Sequence, residues 1–294
     1  MVGRESDELE LSLKTVVCST GTMPSALGMR YHEIDAALEA AEAIPAGDLE
    51  VVLYPDWRPG PPPRSKQPDP PEASLTLTPA EIISRLRDGM ARTGARVRSI
   101  HANRDLGVFL GSRDPRDRRI AAEILEDTIA IAGEVGAGII VLHAWDGWDR
   151  AVDLVHNAVP IIEASRSSEA ILTVENIPLS AVGWSQAEAM ALLAELLPHS
   201  VGFTLDLSWS SMYDNFDVLL ELLPRVKNVH VHGRLGSGEG GECLLPRAGD
   251  MDIDDAVLRL CQLGYDGQWT LELNRPRSPE GFRRGLKHLQ NLIL

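Results

Sequence analysis

Residues 170–209 read AILTVENIPLSAVGWSQAEAMALLAELLPHSVGFTLDLSW, and this stretch decides the fold. It opens and closes on short apolar runs, 170–177 and 201–208, that are continuous rather than alternating with polar residues. Such runs belong to strands covered on both faces, the condition of a parallel sheet. Between them Ser185 to Leu197 carries apolar residues at helical spacing. The whole is therefore one strand-helix-strand unit.

The same alternation runs outward in both directions. LSLKTVVCS (11–19), LEVVLYP (49–55), VRSIHAN (97–103), GIIVLHAW (138–145), NVHVHGR (228–234) and QWTLELN (268–274) bring the strand-like runs to eight. Helical spacing recurs over Tyr31–Ala43, Pro79–Thr93, Pro115–Val135, Ala151–Ser165, Asp254–Leu263 and Pro279–Ile293, with a shorter piece at Leu219–Leu223. Eight such units predict an α/β fold closed into a (β/α)8 TIM barrel. One barrel of this kind takes about 250 residues, so residues 1–294 are expected to form a single domain. The runner-up, a doubly wound open sheet, lacks a GxGxxG or GxxxxGK[ST] turn to bind a nucleotide phosphate. Two connections are longer than needed: a proline-rich insertion at about 57–78 after the second strand, and a glycine-rich segment, 233–250, after the seventh. Both leave C-terminal strand ends, where barrel enzymes build their sites.

Composition narrows the function. The net charge of −15 has no clustered basic face to offset it, which argues against nucleic acid as a partner. No apolar run approaches the roughly 20 residues of a membrane span, and the first residues do not resemble a secretory signal. A cytoplasmic protein is expected. Cys18, Cys243 and Cys261 are an odd, widely spaced set that fits reduced thiols. No GxSxG elbow is present, and Cys18 has no evident base partner, so it reads as packing.

The polar residues inside the apolar runs carry the chemistry. His101, His143, Glu175, Asp206, His230 and Glu272 each stand near the C-terminal end of a different run, third to eighth. In a barrel those ends converge, and buried carboxylates are costly unless paired or bound to a cation. Three acids and several histidines at one mouth call for a metal or a polar substrate. Trp57, Trp145, Trp148 and Trp209 lie near strand ends or in the following loops, where aromatic faces either stack on a sugar ring or roof the barrel.

The ordered series SIHAN, VLHAW, VENIP, TLDLSW, NVHVHG and GYDGQWTLEL, over roughly residues 95–275, resembles the xylose isomerase-like TIM barrels. This group includes sugar phosphate isomerases and epimerases, inosose dehydratases and the endonuclease IV repair enzymes of AP endonuclease family 2. The resemblance implies metal ligands at Glu175, Asp206, His230 and Glu272. It implies that His101 and His143 line the site, and that Asn176, following Glu175, orients the carboxylate or contacts substrate. His232 shares a strand face with His230 and competes with it as ligand; the motif register favours His230. Trp145, Trp209, His232 and Arg234 are further substrate-binding candidates; no basic pair stands out as a phosphate clamp, although Arg234 and Arg247 in the seventh connection could supply one.

Departures from the family pattern limit the inference. Trp209 stands where a histidine is usual, Gly233 where an aspartate is usual, and 234–250 contains no histidine. A three-metal repair site is therefore not expected. Three carboxylates and one imidazole suit a single manganese or magnesium ion, with zinc or cobalt next. The expected function is a metal-dependent isomerase or epimerase of a small ketose or polyol, with Glu175 and Glu272 as acid and base. Alternatives are a lyase acting on an inosose or an oxidised glycoside, including cleavage of a C-glycoside, and a non-catalytic sugar-binding barrel. An endonuclease ranks last. A homo-oligomer or a partner subunit over the mouth is left open.

Overall fold

The computed structural model describes residues 15–29, 34–44, 47–53, 77–147, 149–232, 251–273 and 278–294. The proline-rich insertion up to residue 76, the seventh connection with Gly233, Arg234, Cys243 and Arg247, and Trp57 and Trp148 lie outside them. Eight parallel strands close in sequence order into a barrel: β1 (Val16–Ser19), β2 (Asp48–Val52), β3 (Arg96–His101), β4 (Ile139–Leu142), β5 (Ile171–Glu175), β6 (Gly202–Asp206), β7 (Val226–Val231) and β8 (Gln268–Leu271). The expected (β/α)8 architecture is thus present, and no described helix is long and apolar enough to cross a membrane.

The helices are α1 (Ile34–Ala43), α2 (Pro79–Thr93), α3 (Leu106–Gly111), α4 (Pro115–Val135), α5 (Leu154–Ser165), α6 (Gln186–Leu196), α7 (Leu207–Met212), α8 (Phe216–Leu219), α9 (Ile253–Gln262) and α10 (Pro279–Ile293). Pro79–Thr93, Pro115–Val135 and Pro279–Ile293 match the expected bounds, each with proline in the first turn, where a missing N–H costs nothing. Capping boxes start α2 (Thr78 with Glu81) and α6 (Ser185 with Glu188), and left-handed Gly94 and Gly136 end α2 and α4. The short helices α3 and α7 were not legible as helices, being only six residues each. Between barrel and helices the core is apolar, with Trp145, Phe203, Trp269 and Phe282 fully buried.

The lower barrel interior is polar. Ser99, Asn228, Gln268 and Thr270 surround Glu50, all of them buried. Two irregularities in strand pairing set this layer. Leu49 pairs with Val97 but Glu50 with Ser99, so Arg98 is the extra residue; Phe203 pairs with Val226 but Thr204 with Asn228, so Lys227 is extra. A bulge of this kind re-aims the residues that follow it. Here each one precedes a side chain that donates to Glu50.

Candidate metal centre

Each strand presents alternate residues inward, so the polar layer below the mouth sets the parity of the residues above it. On β7, Asn228 is followed on the same face by His230 and then His232, just past the strand end; on β8, Gln268 and Thr270 are followed by Glu272. On β5 and β6, Thr173 leads to Glu175 and Thr204 to Asp206. The six residues expected at the mouth do meet there, joined by His232.

They form two groups. The ligand atoms of Asp206, His230, His232 and Glu272 all lie within 4.8 Å of one another, and those of His101, His143 and Glu175 do likewise. Glu175 links the groups. Its Oε2 accepts from Nε2 of His101 at 3.1 Å and of His143 at 3.0 Å, while its Oε1 faces Nδ1 of His230 at 3.4 Å. Oε2 of Glu272 stands 3.7 Å from the same Nδ1 and 2.6 Å from Nε2 of His232. The latter nitrogen is also 3.0 Å from Oδ2 of Asp206.

Close approach is not the same as hydrogen bonding. Asp206 Oδ2, His230 Nδ1 and His232 Nε2 are buried and lack any hydrogen bond of acceptable geometry. Leaving one buried polar group unsatisfied costs about 1–3 kcal/mol, and three such atoms gathered at one mouth are what a bound cation together with a polar substrate would satisfy. The donor set of carboxylates and imidazoles fits a divalent ion.

Electrostatics follow from the same geometry. Burial pushes the His230 imidazole down, but Glu50, Glu272 and Glu175 outweigh it and hold the group well above the usual histidine value. Burial of His232 is likewise outweighed by Asp206 and Glu272. For Glu175, burial raises the carboxyl, and the charge of His230 with the hydrogen bonds from His101 and His143 takes it well below the usual range. Glu272 is held low by His230 and His232 against its burial. Both glutamates are thus carboxylates at neutral pH. His101 has acceptors at both ring nitrogens, Ala102 O at 2.8 Å as well as Glu175; burial opposes protonation, yet Glu175 raises it, whereas for His143 burial prevails.

Asp206 serves two ends of one carboxylate. Oδ1 accepts the backbone N–H of Trp209 at 2.9 Å and caps α7, leaving Oδ2 for the mouth. Asn176 is fully buried and spends its amide on this strand end: Oδ1 accepts Asp206 N–H at 2.6 Å, and Nδ2 donates to Asp206 O and Ser210 Oγ, both at 3.1 Å. It sits behind the carboxylates. Trp145 is also fully buried, its indole N–H donated to Pro178 O at 2.8 Å, so it roofs the barrel and presents no face to a ligand. Trp209 and His232 are half-buried at the rim. Cys18 is fully buried and its thiol is pushed up by that burial, in keeping with packing.

Sequence reasoning passed over Glu50. Its Oε1 lies 3.2 Å from Nε2 of His230, on the side of the ring away from the mouth. The available signal was a lone acid among Leu49, Val51, Val52 and Leu53, in a strand whose two faces are both covered.

Comparison with known proteins places these features. The family model for xylose isomerase-like TIM barrels matches residues 49–292, a wider span than the motifs alone suggested. An uncharacterized protein of Methanocaldococcus jannaschii is 21% identical over 194 residues, 62% of this chain and 66% of that protein, just under two thirds of its length. A D-allulose 3-epimerase from Methylomonas sp., solved in complex with D-allulose, is 15% identical with a TM-score of 0.61, over 89% of this chain and 84% of that one. A xylose isomerase-like TIM barrel protein from Mycobacterium smegmatis, solved in complex with magnesium, is 13% identical with a TM-score of 0.59, over 95% and 98%.

Proposed function

From the premise that this chain belongs to the xylose isomerase-like TIM barrels, we propose that it is a metal-dependent isomerase or epimerase of a small ketose or polyol. It works by proton transfer at a carbon next to a carbonyl. The observation that carries the reading is the pair of buried, unpartnered ligand atoms Asp206 Oδ2 and His230 Nδ1, the latter facing the carboxylates of Glu175 and Glu272. The ligands are Glu175, Asp206, His230 and Glu272, a hard set that suits manganese or magnesium.

A divalent ion bound there supplies the positive charge that polarises the substrate carbonyl. The chain's own residues do the rest. Glu175 on β5 and Glu272 beyond β8 stand three strands apart in an eight-strand ring, so they face a ligand at the mouth from different sides. One, as the carboxylate, takes the proton from carbon, and the other, as the carboxylic acid, returns its proton from the other side, so that each ends in the form the other began in. His101 and His143 hold Oε2 of Glu175, which fixes its orientation and leaves Oε1 toward the mouth. His232, at the rim, is placed to meet a substrate hydroxyl. The ketose class is supported by the fold shared with an epimerase that binds D-allulose.

Metal analysis of the purified protein, followed by product analysis with a panel of ketoses, tests the proposal. About one divalent ion per chain and an epimer or isomer as product are expected. A chain that takes up no divalent ion points instead to a sugar-binding barrel, and elimination products from inososes or oxidised glycosides to a lyase.

A further inference from the structure

Glu50 is fully buried in the middle of the barrel, one layer below the mouth, and no part of the proposed chemistry uses it. Its two oxygens face different ways. Oε2 accepts from Ser99 Oγ at 2.8 Å and from Asn228 Nδ2 at 3.2 Å, so the carboxylate is anchored from two strands. Gln268 ties the anchors together, its Nε2 donating to Ser99 Oγ at 2.8 Å and reaching Asn228 Oδ1 at 3.3 Å. Oε1 has no hydrogen bond to a described group; a polar neighbour is Nε2 of His230, 3.2 Å away, which likewise has none and is not aligned with it. Two buried atoms of complementary chemistry thus stand 3.2 Å apart, each without a hydrogen bond.

The backbone is shaped around this carboxylate. The extra residues Arg98 and Lys227 displace β3 and β7 by one position immediately before Ser99 and Asn228, which brings both donors to Glu50. An apolar side chain at position 50 would need none of these devices. A buried carboxylate fixed by donors on one oxygen and turned by the other toward an imidazole has a recognised use: it dictates which ring nitrogen carries the proton and fixes the orientation of the ring.

We infer that Glu50 is a positioning residue for the metal centre: its Oε1 accepts the Nε2 proton of His230, which fixes the tautomer and leaves Nδ1 as the ligating nitrogen. The inference rests on the metal-binding reading above. It adds the direction from which His230 is held and the reason Nδ1, 3.4 Å from Glu175 and 3.7 Å from Glu272, is the atom presented. Glu50 itself touches neither metal nor substrate.

The test titrates the full-length protein, stripped with a chelator, with Mn²⁺ by calorimetry, and records the visible spectrum of the Co²⁺-loaded form. Glu50→Gln keeps the size and, with its amide oxygen held by Ser99 and Asn228, turns an NH2 donor toward Nε2 of His230 in place of the acceptor, and Mn²⁺ affinity is expected to fall about 10–100-fold with a changed Co²⁺ spectrum. Thr173→Val is the control for disturbance of the polar interior: Thr173 bonds only Ile140 O and Thr204, and its loss should leave affinity within about twofold. A Glu50→Gln protein with wild-type affinity and spectrum overturns the inference while the metal site stands. Equal losses in both variants also overturn it. A wild-type chain that binds neither Mn²⁺ nor Co²⁺ overturns both this inference and the reading beneath it. Should Glu50→Gln fail to fold, the ring ¹⁵N shifts of His230 in the Zn²⁺-loaded wild type decide: a protonated Nε2 with a metal-bound Nδ1 supports the assignment, and the reverse tautomer overturns it.

Discussion

Nε2 of His232 lies 3.0 Å from Oδ2 of Asp206, yet the two are not aligned for a hydrogen bond. The same aspartate is fully engaged at its other oxygen, which caps α7 through Trp209 N–H. One carboxylate thus joins the scaffold to the mouth, and the two roles can be separated by substitution. Asp206→Asn keeps an oxygen for the cap and puts an amide where Oδ2 was. Metal retained after dialysis should fall at least about 100-fold, while the melting temperature stays within about 4 °C, the scale of a 1 kcal/mol change in a chain of this size. Asp206→Ala should lose both. Full metal retention in the Asn variant would remove Asp206 from the ligand set.

His230 and His232 share one face of β7 but differ in setting. His230 is enclosed, with Glu50 behind it and Glu175 and Glu272 before it, whereas His232 is half-buried at the rim. His230→Ala should therefore abolish stoichiometric metal binding. His232→Ala should keep the metal and show a raised KM. The opposite pattern, read by metal analysis of both proteins, would move the ligand role to His232.

Asn176 clamps the ends of β5 and β6 and has no polar atom turned to the mouth. Its replacement by Ala strands the backbone N–H of Asp206 in the interior. Stability should drop by about 1–3 kcal/mol in urea unfolding, and metal affinity should fall with it as the strand end loosens. An unchanged unfolding midpoint would show that the clamp is dispensable.

The barrel and most of its mouth were legible because each polar residue closes an apolar run of its own. His101, Glu175, Asp206 and Glu272 fall at strand ends by register alone, and the register survives small errors in helix bounds. What could not be read is which way a side chain turns once past the strand. Trp145 and Asn176 have the chemistry of ligand contacts but lie fully buried, their polar atoms spent on Pro178 O and on the end of β6. Glu50 was missed for another reason. A mid-strand acid gains its meaning only from the neighbours that two bulges bring to it, and pairing irregularities leave no mark in the order of residues. Likewise Asp206 ends β6 and caps α7 at once, so no loop separated the two for a reader to see.

The two glutamates make the mechanism testable. If Glu175 and Glu272 face the reacting carbon from different sides, each exchanges protons with substrate from its own side, and turnover in heavy water should place deuterium at the carbon next to the carbonyl. Glu175→Gln and Glu272→Gln keep the shape and an oxygen but remove the base, so kcat should fall at least about 100-fold in either. Metal affinity should weaken less than activity, because an amide oxygen still serves as a ligand while it cannot accept the proton at all. The comparison between the two variants carries further information: a substrate presented from one epimer should lose exchange when its own base is removed and retain it when the other is. A hydride shift would instead keep the substrate's own hydrogen on carbon throughout. Complete retention of that hydrogen overturns proton transfer, and a Gln variant with normal turnover removes its glutamate from the chemistry.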